Sequence, residues 1–120
     1  MNYENIKVGD IYSFKHTFTK ENENLFSKLT GDDSYSKSVH GMLAASFFST
    51  LIDKYCLGPE SIYVSQTLKF RKPLMYGVEA TIQGIILEKS DSTHMITIQT
   101  DILVSGETVV SGEAKVILRQ

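Results

Sequence analysis

Gly41-Met42-Leu43-Ala44-Ala45-Ser46-Phe47-Phe48-Ser49-Thr50-Leu51-Ile52-Asp53-Lys54-Tyr55-Cys56-Leu57 is the stretch that decides the fold. It is apolar almost all round and ends at Gly58-Pro59, a pair that stops helices. A surface helix keeps one polar face, and a helix without such a face is enclosed by other elements. Ser46, Ser49, Thr50 and the Asp53-Lys54 pair punctuate the run, which is too short to span a bilayer.

The enclosing elements read as strands. Residues 11 to 18 alternate Tyr12, Phe14, His16 and Phe18 with Ile11, Ser13, Lys15 and Thr17, a half-buried strand pattern. Ser61 to Phe70 sets Ile62, Val64, Gln66, Leu68 and Phe70 on one side and stops at Arg71-Lys72-Pro73. Val78 to Glu88, Thr93 to Val104 and Thr108 to Leu118 follow, joined by short turns at Ser90-Asp91-Ser92 and Ser105-Gly106-Glu107. Short turns between long strands imply an antiparallel meander. Gly112 and Ala114 are small where bulk is expected, which points to close approach by the apolar helix. Before that helix, Thr19 caps a shorter one over residues 20 to 29, with Glu21 and Glu23 in its first turn. Leu25, Phe26 and Leu29 form its apolar face, and Gly31 ends it. The expected class is α+β, with one domain over 1–120: a long curved antiparallel sheet wrapped around a central apolar helix.

The totals narrow the functional classes. An apolar content of 42% in 120 residues supports a core, but so small a domain leaves apolar surface uncovered, and a homodimer is expected. A net charge of −2 offers no general attraction to nucleic acid or an anionic membrane. Cys56 is the sole cysteine, so no internal disulfide forms and a reducing, cytoplasmic setting is expected. His16, His40 and His94 are scattered and match no zinc-ligand spacing. Met1 to Asn5 is polar and does not read as a leader.

Chemistry concentrates at Gly31-Asp32-Asp33 … Val39-His40-Gly41-Met42, where an acidic turn runs into the apolar helix. A carboxylate at the mouth of an apolar site holds and activates water, the more so when burial raises its pKa. The same residues, Gly31-Asp32-Asp33-Ser34, also suit a plain turn after a helix. His40 titrates near neutrality, but a helix N-terminus disfavours its charged form. Gly41 opens the helix, where the first N–H groups lack internal partners and the missing side chain lets a ligand oxygen approach. A glycine kept small for packing is the other reading of that position.

His40-Gly41-Met42-Leu43-Ala44-Ala45-Ser46-Phe47-Phe48-Ser49 resembles the central helix of MaoC-like (R)-specific enoyl-CoA hydratases, which have the hotdog fold. Ser61-Ile62-Tyr63 through Arg71-Lys72-Pro73 is similar to the strand that follows in that family. Val8-Gly9-Asp10, Leu29-Thr30-Gly31-Asp32 and Val110-Ser111-Gly112-Glu113-Ala114 extend the resemblance, in order, over nearly the whole chain. It implies reversible hydration of a trans-2-enoyl-CoA to an (R)-3-hydroxyacyl-CoA, with no cofactor beyond the coenzyme A thioester that is the substrate. The family signature G-D-x-N-P-x-H pairs an Asp with a His to handle water and proton. The helix-opening Gly donates its N–H to the thioester carbonyl.

The resemblance therefore assigns Asp32 to water and the Gly41 N–H to the oxyanion, and it places Ser49 and Ile52 where the acyl pocket is shaped. Lys69, Arg71 and Lys72 form a basic cluster that suits the phosphates of coenzyme A, and a simply solvated strand end is the other reading of it. The signature departs after Asp32: neither Asn-Pro nor a His follows, and seven residues, 33–39, separate Asp32 from His40 where the family has a longer segment. The family does not use the His40 position for catalysis. A structural histidine at the helix start is the favoured reading, and replacement of the missing acid–base group is the second. Two rival functions follow from the departure: an acyl-CoA-binding hotdog protein without turnover, and a hotdog thioesterase in which a carboxylate directs water at the carbonyl.

Overall fold

The computed structural model describes residues 2–33 and 37–119. Ser34, Tyr35 and Ser36, part of the segment read as replacing the longer family loop, lie outside the described residues. A short 3₁₀ turn, Tyr3–Asn5, precedes β1 (Ile11–Thr17) and α1 (Lys20–Thr30). Next come α2 (Gly41–Thr50), its continuation Leu51–Cys56, and β2 to β6 (Ser61–Gln66, Lys69–Phe70, Glu79–Ser90, Met95–Val104, Glu107–Leu118). All six strands join one antiparallel sheet in the order β1-β4-β5-β6-β2, with β3 also on β6. β4, β5 and β6 form the expected meander. Ser105 and Gly106, both at positive φ (50° and 79°), make the tight turn between the last two.

The apolar stretch is helical from Gly41 to Cys56, but not uniformly α-helical. Over Leu51–Cys56 the helix widens to π geometry, and Leu57 N–H bonds the Ile52 carbonyl five residues back at 2.8 Å. Leu43, Ala44, Ala45, Phe48 and Leu51 pack with Phe18, Ile82, Ile102 and Val110. Ile52, Cys56 and Leu57 pack with Ile86, Ile96, Ile98 and Val116. Each fully buried Leu, Ile or Phe contributes about 1.5–3 kcal/mol, so this contact is the main source of stability. The sheet covers one side of the helix only: Met42, Ser46, Ser49 and Asp53 remain exposed along the other.

Three expectations need correction. The close approach of helix to sheet falls at Gly84, where a Cβ would lie 3.1 Å from Leu51 Cδ2. Gly112 is small for a different reason: a Cβ there would sit 1.8 Å from the Thr67 carbonyl oxygen, where the chain crosses between β2 and β3. Of the expected apolar face of α1 only Phe26 packs against the core, while Leu25 is exposed and Leu29 is at 86% exposure, and Glu23 points inward at 1%. Finally, β2 is not half buried. Ile62, Tyr63 and Val64 are exposed on this outer strand, which bulges between Tyr63 and Ser65. Among the described residues no helix is long and apolar enough to cross a membrane.

Gly112→Ala should destabilise the fold by about 1–3 kcal/mol, because a backbone carbonyl must move to admit the methyl group. Urea denaturation midpoints of the two proteins measure this.

Candidate active site

The start of α2 and the end of α1 meet at one cleft. α1 begins with a capping box: Asn22 N–H donates to Thr19 Oγ1 and Thr19 N–H to Asn22 Oδ1, both at 3.1 Å. It ends at Gly31, whose φ of 79° is the left-handed conformation that suits a residue without a side chain. The chain then turns, and the Asp32 backbone is held by α1 itself. Asp32 N–H donates to Thr30 Oγ1 at 3.1 Å, and Ser27 Oγ donates to the Asp32 carbonyl at 2.6 Å. On the return path Val39 N–H donates to the Leu74 carbonyl at 2.8 Å, setting His40 as the residue that precedes α2.

These pins bring Asp32, His40 and Glu23 into a line. His40 Nδ1 lies 2.5 Å from Glu23 Oε2, and His40 Nε2 lies 3.5 Å from Asp32 Oδ2. The Glu23 carboxylate also accepts from Tyr76 O–H and, at 3.3 Å, from the His40 backbone N–H. Burial alone would push the Glu23 carboxyl up, but the hydrogen bonds from Tyr76 and His40 outweigh it and leave its pKa lowered. The bond to Glu23 raises the His40 pKa above the ordinary 6.5, with burial opposing and the Asp32 charge assisting. The expected effect of the helix N-terminus on His40 is therefore overturned. A full carboxylate charge at contact distance exceeds the roughly half charge of a helix end.

The cleft has a volume of about 630 Å³ and takes in Asp32, His40, Gly41, Met42, Phe70 and Arg71, with Phe26, Leu74 and Val110 among its apolar walls. Gly41 meets the ring of Phe70: a Cβ would lie 2.7 Å from Phe70 Cε1, so the packing reason for glycine holds alongside the chemical one. Arg71 and Lys72 stand at the same cleft, with Arg71 Nε donating to Ser111 Oγ at 2.9 Å and Lys72 paired with Glu107 at 2.7 Å. Ser49 is exposed away from the cleft, and Ile52 is fully buried in the core, with no surface to offer a ligand. Lys69 borders a separate polar depression. Cys56 is core filler as expected, and burial pushes its thiol up to about 12. Glu23 and Tyr76 escaped the sequence reading. Its one signal for Glu23 was a place on the same helix face as Phe26, three residues on.

A scan against family models found no match. The (R)-specific enoyl-CoA hydratase of Rhodospirillum rubrum is 31% identical over 134 aligned positions, which take in 97% of this chain and 90% of that protein. The chain belongs to the MaoC-like (R)-specific enoyl-CoA hydratase family. The R-hydratase PhaJ1 of Pseudomonas aeruginosa superposes with a TM-score of 0.91 at 25% identity, over 98% of this chain and 85% of that one. The (R)-hydratase of Aeromonas caviae involved in PHA biosynthesis does so with a TM-score of 0.90 at 29% identity, over 95% and 98%. The fold is the hotdog fold of these hydratases.

The Glu23–His40 pair makes stability depend on pH from both sides. The lowered Glu23 pKa adds stability above its ordinary 4.5, which is lost as pH falls through the folded value. The raised His40 pKa adds stability below 6.5, which is lost as pH rises through its folded value. The stability difference between wild type and Glu23→Gln should therefore be greatest between pH 4.5 and 6.5 and shrink on either side, as thermal melts across pH will read.

Proposed function

We propose that this protein reversibly hydrates trans-2-enoyl-CoA to (R)-3-hydroxyacyl-CoA, with Asp32 activating water and the Gly41 N–H binding the thioester oxygen. Family membership supports the reaction class. The observation that carries the residue roles is that the Asp32 carboxylate and the first residue of α2 border one apolar-walled cleft. The Asp32 side chain is 46% exposed, open enough to meet water, while Ser27 and Thr30 fix its backbone. Water attacks C3 of the enoyl group as its proton passes to Asp32. The electron pair of the double bond moves toward the thioester, and negative charge gathers on the carbonyl oxygen. Helix-start N–H groups stabilise that charge because they are already oriented and lack intrahelical acceptors. Arg71 and Lys72 at the cleft suit the coenzyme A phosphates. No cofactor enters this sequence of steps.

The same reading takes the protein to be a cytoplasmic homodimer. Among the described residues β2 ends the strand path with an unpaired edge and exposed Ile62, Tyr63 and Val64, an arrangement that pairing with a second copy would cover. Light scattering should return about twice the 13.5 kDa chain mass, and a monomer would count against the dimer.

The activity test is loss of enoyl absorbance on adding crotonyl-CoA, with a saturated acyl-CoA as control. Asp32→Ala should lower turnover by about 10²–10⁴-fold while leaving the melting curve nearly unchanged. Thiol release from the saturated substrate would select the thioesterase reading. Tight binding of crotonyl-CoA without turnover would select the binding protein.

A further inference from the structure

Hydration needs a second acid–base group, and the family motif supplies none after Asp32 in this chain. Glu23 is where the structure departs from expectation. A carboxylate at 1% exposure is costly to bury, and an apolar side chain would fill the same space at lower cost. Its two oxygens are nevertheless committed to Tyr76 and to both the backbone N–H and Nδ1 of His40. Among the described residues, Glu23 Oε2 and His40 Nδ1 have each other at 2.5 Å and no further partner. A carboxylate on one imidazole nitrogen fixes the direction of the ring and favours its protonated form, in which the other nitrogen also carries a hydrogen. That other nitrogen, Nε2, is on the side of Asp32, at 3.5 Å.

We infer that His40, oriented by the buried Glu23, is the acid that delivers the proton to C2 of the substrate, working opposite Asp32. The inference rests on the hydratase reading above. It assembles from α1 and the start of α2 the pair that the family signature draws from one continuous segment.

The protons balance over one turnover. Water loses a proton to Asp32 as its oxygen bonds C3, and charge moves onto the thioester oxygen. The enolate then collapses, and the Nε2–H bond of His40 breaks as a C2–H bond forms. Asp32 returns its proton to Nε2 across the 3.5 Å gap, and both groups regain their starting states. This cycle needs His40 charged at rest. Glu23 from α1 and Asp32 from the following turn both favour that charge, and Tyr76 reaches it through Glu23. Arg71 and Lys72, after β3, are the cations that border the same cleft.

Two measurements test this together: the pH profile of kcat on crotonyl-CoA, and the NMR titration of the His40 Cε1 proton. In the wild type, the midpoint should lie above 6.5 and coincide with the loss of kcat at high pH. In Glu23→Gln, where an amide N–H replaces the charge, both should move down together by about one to three pH units. Its kcat should fall by about 10²-fold with KM little changed. If Glu23 merely props the fold, that variant will melt lower while its folded fraction keeps the wild-type pH limb, and the inference fails. Should Glu23→Gln not fold, the wild-type coincidence and His40→Gln decide: a midpoint at or below 6.5, or full activity in His40→Gln, overturns it. A wild type that cannot hydrate crotonyl-CoA overturns the hydratase reading and this inference with it. An active wild type whose pH limb ignores Glu23 and His40 overturns the inference alone.

Discussion

Burial of one face of the helix from Gly41 to Cys56 is the constraint on which the rest depends. Its apolar side chains are stable only against other apolar surface, and the meander of β4, β5 and β6 supplies most of that surface. A sheet laid along a helix covers its side but not its end. The N-terminus of α2 is therefore left at a cleft, with the positive end of the helix dipole facing it. Core packing and the location of chemistry are in this sense one decision. The pocket walls Ala44, Leu74 and Val110 belong to the same cluster that stabilises the fold.

The electrostatics of the cleft are built from behind. His40 sits at a helix start that disfavours its charge, and a buried carboxylate reverses that preference. The reversal depends on geometry rather than composition, because the Coulomb interaction of a close pair in a weakly screened site grows steeply as distance and dielectric fall. Tyr76, from the segment before β4, completes the shell around Glu23 and so ties the site to the chain that enters β4. The cleft thus holds His40, a second titratable group, within 3.5 Å of the Asp32 carboxylate.

The legible parts of the sequence were those with a clear period. The meander strands and the apolar helix fell close to their expected places, because alternation and continuous apolarity are local signals that packing reinforces. β2 shows the limit of that rule. Its pattern matches that of a buried strand, yet it lies at the sheet edge with Ile62 and Val64 exposed, and nothing in its own residues says how many neighbours it has. Gly112 shows another limit. Its smallness was a true signal of close approach, but the object approaching was the Thr67 backbone.

What the sequence by itself determined was the α+β class, the apolar helix and the family resemblance, since all of these follow from local pattern and order along the chain. Only the tertiary structure decided the state of His40. Glu23 reads in the sequence as a surface acid in the first turn of a helix, a role that residue type and position both favour. It lies seventeen positions before His40 in the chain, and their contact exists because α1 turns Glu23 inward. A side chain's charge state depends on which groups surround it in space, and no local pattern carries that information.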